Sequence, residues 1–101
     1  MPLFVLIARD GSEGAALRPR HREGHLAHLG DLERAGRLRF AGPLRDGGGE
    51  PCGSLVIFEA EDLAAALQVA ARDPYSRHGV FAETELLETT QVLPPPDGPA
   101  A

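Results

Sequence analysis

His21, His25 and His28 are the densest group of side chains in this sequence able to move a proton or hold a metal, and they stand four and three residues apart. That spacing places all three on one face if the segment is helical. Leu29 and Leu32 follow His25 on the same side, so His25 sits at the edge of an apolar stripe. A histidine there is either a satisfied core residue or a poised general base, and spacing alone favours the core role. His21 and His28 flank it toward solvent. His21 and His25 also have the spacing with which two helical histidines share a metal. Arg22 stands where the paired-histidine metalloprotease pattern needs a glutamate, and no third ligand is evident, so no metal is expected.

A second group is Asp73-Pro74-Tyr75. An Asp before a helix-breaking proline is common turn punctuation. If the turn lies against the histidine helix, the same carboxylate could orient the His25 imidazole and raise its basicity. Gly47-Gly48-Gly49 suggests a phosphate loop, but it joins two strands and opens no helix, so a mobile connection is expected. Cys52 is the only cysteine, which excludes an internal disulfide and a cysteine zinc cluster, and with no neighbouring base it reads as an inert thiol.

All ten basic residues other than histidine are arginine. Without lysine there is no Schiff-base chemistry, no covalent pyridoxal phosphate and no lysine-bearing phosphate loop. No cofactor is expected. Any anion held by a charged side chain must be held by Arg or His. The charge is also uneven: residues 9–45 carry eight Arg against five acids, whereas residues 46–101 carry two Arg against ten acids. A net charge of −5 with no Trp and one Tyr argues against nucleic acid as a partner. The opening run MPLFVLIARD lacks a basic leader region and is too short to span a membrane, so a cytoplasmic protein without membrane contact is expected.

These groups need elements to position them. Leu3 to Ala8 is an apolar run that reads as a strand, with a loop from Asp10 to Gly14. Leu26, Leu29, Leu32 and Ala35 recur at three-residue steps, which predicts a helix from about Pro19 to Ala35, capped by Gly36. Arg37 to Leu44 reads as a strand whose Pro43 suits an edge strand or a strand end, and Asp46 to Gly53 as a flexible connection. Ser54 to Ala60 is a strand buried on both faces, and Leu63 to Arg72 an Ala-rich helix ended by Asp73-Pro74. Val80 to Val92 reads as a strand with one wet face, in which the Leu86-Leu87 pair breaks the alternation and suggests a bulge. The resulting order βαββαβ is the α+β, ferredoxin-like plan, with an antiparallel sheet, both helices on one face and the first and third strands central. Because those two strands are apolar on both faces, with Phe4, Leu6 and Ala8 opposite Leu3, Val5 and Ile7, and Leu55 and Ile57 opposite Val56 and Phe58, the helix-free side would expose a contiguous apolar patch, and a homodimer packed sheet to sheet is the simplest cover. Residues 1–92 form the expected domain, and 93–101 a Pro-rich tail in which Pro96-Asp97-Gly98-Pro99 has a PxxP spacing.

Taken in order, Arg22-Glu23-Gly24-His25-Leu26 with Leu29, Gly36-Arg37-Leu38 leading into Ala41-Gly42-Pro43, Gly53-Ser54, and Asp73-Pro74-Tyr75 with Gly79-Val80-Phe81 resemble the YCII-related family. The resemblance implies the ferredoxin-like fold and dimers whose sheets pack face to face, forming a dimeric α+β barrel. It also implies a His–Asp active site on His25 and Asp73, with Ser54 and Pro43 lining the same region. Some members of that family look like small-molecule lyases, including a dehydrochlorinase of a chlorinated hydroxyquinol. His78, where a small residue is expected, and the short Gly-rich 46–52 loop depart from the family pattern. The expectation is a dimeric enzyme in which His25, oriented by Asp73, moves a proton on a small anionic or phenolic substrate. Tyr75 and Ser54 would position that substrate by hydrogen bonds, and Arg18, Arg20 or Arg22 would attract its charge. The alternative is a non-catalytic dimer that binds a metabolite or serves a larger enzyme.

Overall fold

The computed structural model describes residues 1–96. Residues 97–101, and with them most of the PxxP spacing, lie outside the described residues. The elements run β1 (Leu3–Asp10), α1 (Gly14–Arg34), β2 (Leu38–Arg45), β3 (Pro51–Glu59), α2 (Leu63–Arg72), α3 (Pro74–Arg77) and β4 (Phe81–Thr89). The four strands form one antiparallel sheet in the order β2-β3-β1-β4. The apolar strands β1 and β3 are therefore central, and Pro43, which cannot donate to a ladder, lies on an edge strand. The fold is α+β and ferredoxin-like. No helix among the described residues is long and apolar enough to cross a membrane.

Alternation divides the central strands cleanly. Phe4, Leu6 and Ala8 of β1 and Val56 and Phe58 of β3 are buried on the helix-covered face, where Ala60 and Ala66 join them. Their neighbours Leu3, Val5, Ile7, Leu55 and Ile57 point to the other face and are half-buried. Direct pairing of Val5 with both Ile57 and Leu87 makes that open face a continuous apolar strip.

Three local expectations are corrected. First, α1 begins at Gly14 and not near Pro19, which lies inside the helix. A proline deletes one backbone N–H, but the earlier turn is held by Arg18, which forms an ion pair with Asp10 at the end of β1. That contact joins two elements and leaves no periodic mark in the sequence. Second, the inward stripe of α1 is Gly14, His25 and Leu32, with Arg18 and Leu29 half-buried, whereas Leu26 and Ala35 are exposed. His25 is thus at the centre of the buried face. Third, β4 pairs regularly through Leu86 and Leu87, and the register shift falls where Asp10 meets Phe81 while Arg9 meets Glu83. Ala82 is the extra residue.

The connections are more ordered than their composition suggests. Gly36 has φ +71°, and Gly36 and Arg37 donate back to Glu33 and Leu32, closing α1 with the paired bonds of a left-handed cap. In the Gly-rich hairpin, the Asp46 carboxylate accepts from the N–H groups of Gly48 and Glu50. The triple glycine therefore turns a chain between strands, and β3 starts at Pro51, three residues earlier than the apolar pattern implies.

Candidate active site

Asp73 organises the site from the junction of α2 and α3. Its backbone caps the end of α2, and its carboxylate caps α3 by accepting the Tyr75 N–H at 2.9 Å. The sequence shows the end of α2 here, but not that the chain re-enters a four-residue helix at Pro74. Proline at the first helical position costs nothing, because its missing N–H would have no partner there. With the carboxylate so fixed, both of its oxygens lie 2.8 Å from His25 Nδ1. His25 is 7% exposed and Asp73 2%.

Close approach of α1 and α3 makes this contact possible. A Cβ on Gly24 would stand 3.0 Å from Pro74 Cγ, so the residue before His25 is one with no side chain to separate the helices. Tyr75 then lays its ring flat on the His25 imidazole, with centroids 3.8 Å apart and planes 6° from parallel, and meets Phe81 edge-on. Its hydroxyl donates to the Arg18 carbonyl at 3.3 Å. Burial raises the Tyr75 phenol above its ordinary value, so it stays protonated at neutral pH. The phenolic hydrogen expected to contact substrate is thus committed to the protein, and Tyr75 contributes its ring.

Because an ionised carboxylate only accepts, it selects the imidazole tautomer with hydrogen on Nδ1 and a lone pair on Nε2. Nε2 has no hydrogen-bond partner among the described residues, and the ring borders a cavity of about 390 Å³. The cavity wall includes Pro43 and Ala41 from β2, Ser54 from β3, and Leu26 and Leu29 from α1. Among the described residues, three arginines line it and no acid does, in a chain whose net charge is −5. Its size is at the small end of the range for small-molecule sites.

The arginines differ in state. Arg18 is paired: Nε and Nη2 reach the two Asp10 oxygens at 2.6 and 2.9 Å, and Nη2 also donates to Gly53 O at 2.7 Å and Ser54 Oγ at 3.3 Å. The bonds to Asp10 raise its already high pKa, so it is permanently charged. Arg22 lines the cavity, is exposed, and has no hydrogen-bond or ion-pair partner among the described residues. Arg20 is not part of the wall. Arg45, which sequence reasoning missed, is, and donates to Gly49 O. Its only signal in sequence is its place beside the Gly-rich hairpin.

His25, Asp73, Ser54, Tyr75, Pro43 and Arg22 are thus brought to one place, with Asp73 just behind the wall. His21 turns elsewhere: its ring stacks on His78, 4.1 Å between centroids and 2° from parallel. Among the described residues, no group of three or more His, Cys, Asp or Glu side chains is gathered as metal ligands. Cys52 is exposed and free.

Comparison with known proteins agrees with this architecture. An uncharacterized protein of Haemophilus influenzae is 38% identical over 86 residues, covering 79% of this chain and 88% of that one. Among solved structures, 5-chloro-2-hydroxyhydroquinone dehydrochlorinase from Burkholderia phenoliruptrix, in complex with 2,5-dihydroxybenzoquinone, superposes with a TM-score of 0.80 at 26% identity. That match covers 87% of this chain and 93% of the dehydrochlorinase. A NIPSNAP domain protein from Burkholderia xenovorans matches at a TM-score of 0.51 and 12% identity, over 96% of this chain and all of the other, a likeness of fold alone. The model of the YCII-related domain matches residues 2–90, and the chain belongs to that family.

Proposed function

We propose that this chain is a small-molecule enzyme of the lyase type, in which His25 removes a proton from a small anionic or phenolic substrate held in the cavity. The observation that carries the reading is the pairing of His25 Nδ1 with a buried carboxylate in a ring that lines the cavity, with Nε2 left without a hydrogen-bond partner among the described residues. Asp73 fixes the ring and stabilises the imidazolium that forms. A positioned base of this kind contributes about 10²–10⁴-fold in rate. Arg22, with no partner among the described residues, supplies positive charge, Ser54 a hydroxyl, and Pro43 and the Tyr75 ring apolar surface.

The likeness to a dehydrochlorinase supports elimination as the reaction type. Loss of HCl needs no oxidant. The proton passes to Nε2, the electron pair it leaves forms the new π bond, and chloride departs with the electrons of the C–Cl bond. The half-buried apolar strip on the open face of the sheet supports a second part of the reading, a homodimer packed sheet to sheet.

The test is incubation with 5-chloro-2-hydroxyhydroquinone, with chloride release followed by electrode and 2,5-dihydroxybenzoquinone binding followed by thermal shift. Wild type should release chloride, and His25→Ala should be slower by about 10²–10⁴-fold. Binding that survives His25→Ala, together with no turnover of this or related chlorinated phenols by wild type, would support a non-catalytic metabolite-binding dimer instead.

A further inference from the structure

Ser54 is 3% exposed and forms part of the β3 wall of the cavity. Its Oγ accepts a hydrogen bond from Arg18 Nη2, and no acceptor for its own hydroxyl hydrogen exists among the described residues. A hydroxyl is one donor and two acceptors, and a guanidinium only donates. Nη2 carries two hydrogens and the Gly53 and Asp10 oxygens lie nearer, so Ser54 receives the long, shared arm of this cluster; because a guanidinium offers no acceptor, the Ser54 O–H cannot point at Arg18 and is left for whatever enters the cavity. Arg18 is held to this task from several sides, by both Asp10 oxygens and by the Gly53 carbonyl.

We propose that Arg18 is a positioning residue that turns Ser54 into a hydrogen-bond donor, and that the site thereby selects ligands presenting an oxyanion, a phenolate or enolate, to Ser54. This rests on reading the cavity as a small-molecule site and names the class it takes. It also offers a donor to the negative charge that develops when His25 takes a proton from such a ligand. Preorganised donors at a developing oxyanion stabilise a transition state without further reorganisation.

The probe is 4-nitrophenolate, whose visible band moves to longer wavelength when its phenolate oxygen loses a hydrogen-bond donor. Ser54→Ala and Arg18→Gln should each weaken binding about tenfold, the loss of one hydrogen bond to a charged group. Both should move the bound band to longer wavelength, and the double variant should be no weaker than the singles. Arg18→Lys, whose single nitrogen pairs with Asp10 and does not also span to Ser54, is the second variant and should match Ser54→Ala. Asp10→Asn breaks the ion pair but keeps the Arg18 donor to Ser54, so it should leave the band in place, which a merely structural role for Arg18 would not allow. Losses that add in the double variant would mean that Arg18 meets the ligand directly and would overturn the proposal. So would a band unmoved by Ser54→Ala, or no saturable binding to wild type. His25→Gln should stop turnover without moving the band, so failure of the proton-transfer chemistry and failure of this assignment are told apart.

Discussion

Asp73 does two jobs with one carboxylate: it caps α3 through the Tyr75 N–H and holds His25 Nδ1. Asparagine keeps an oxygen for the cap but presents an amide that can donate as well as accept, so the two jobs can be separated. In Asp73→Asn, nitrogen-15 NMR should show His25 changing from a single Nδ1–H tautomer to a mixture, with chloride release slowed about 10²–10⁴-fold and the fold intact. Asp73→Ala should lose about 1 kcal/mol of stability in addition, the contribution of a helix cap. His21 is a separate case. Desolvation, followed by the charges of His78 and Arg20, holds its imidazole below the ordinary value of 6.5. The folded protein therefore takes up a proton there less readily than the unfolded chain. Stability is retained above the ordinary value and falls as the pH drops through it. Replacing His78 with Asn should move the His21 titration upward in proton NMR and lessen the acid loss of stability measured by denaturant unfolding.

Where elements meet, the two glycines beside site residues matter more than the triple glycine. A Cβ on Gly53 would stand 2.2 Å from the Ala8 carbonyl oxygen, a backbone atom of the neighbouring strand that cannot move without opening the β1–β3 ladder. Gly53→Ala should cost about 3 kcal/mol, the upper end for overpacking. At about 4–8 °C per kcal/mol for a domain of this size, calorimetry should show a melting temperature lower by about 12–24 °C. Gly24→Ala is milder, because Pro74 Cγ at 3.0 Å belongs to a side chain on a short helix that can shift by a few tenths of an ångström. A methyl group on either hairpin glycine, Gly47 or Gly49, would meet nothing within 4 Å, though the φ of +84° at Gly49 still favours glycine there.

For the molecule as a whole, assembly turns on the helix-free side of the sheet. Val5 lies opposite Ile57 on one neighbour and Leu87 on the other, and Phe40 pairs with Ile57 at the β2 edge. Phe40 and Leu87 are about half exposed in the single chain. A strip of this kind is rarely left in water. Analytical ultracentrifugation at micromolar concentration should find a dimer, and Val5→Glu, which places a charge in the middle of the strip, should give a monomer. A wild-type monomer would remove the dimer from the reading while leaving the cavity, which lies on the helix-covered face, unaffected.

Strand order, the two long helices and the central place of β1 and β3 were legible in the chain because apolar runs and alternation follow local geometry, with a period of two or 3.6 residues. The absence of lysine likewise limited the chemistry to His, Arg and carboxylates by counting alone. His25 was ambiguous on spacing, since a core histidine and a poised base have the same period, and family resemblance was what singled it out with Asp73. The tertiary structure decided the rest: that α1 starts a turn before Pro19, that α3 re-forms after Asp73, that Arg18 is paired while Arg22 has no partner among the described residues, and that Tyr75 stacks rather than donates into the cavity. Each of these depends on groups from different elements meeting in space. Asp10 and Arg18 are eight residues apart and Arg18 and Ser54 thirty-six. No periodic pattern records such meetings, because the sheet that brings them together is assembled from strands far apart in the chain.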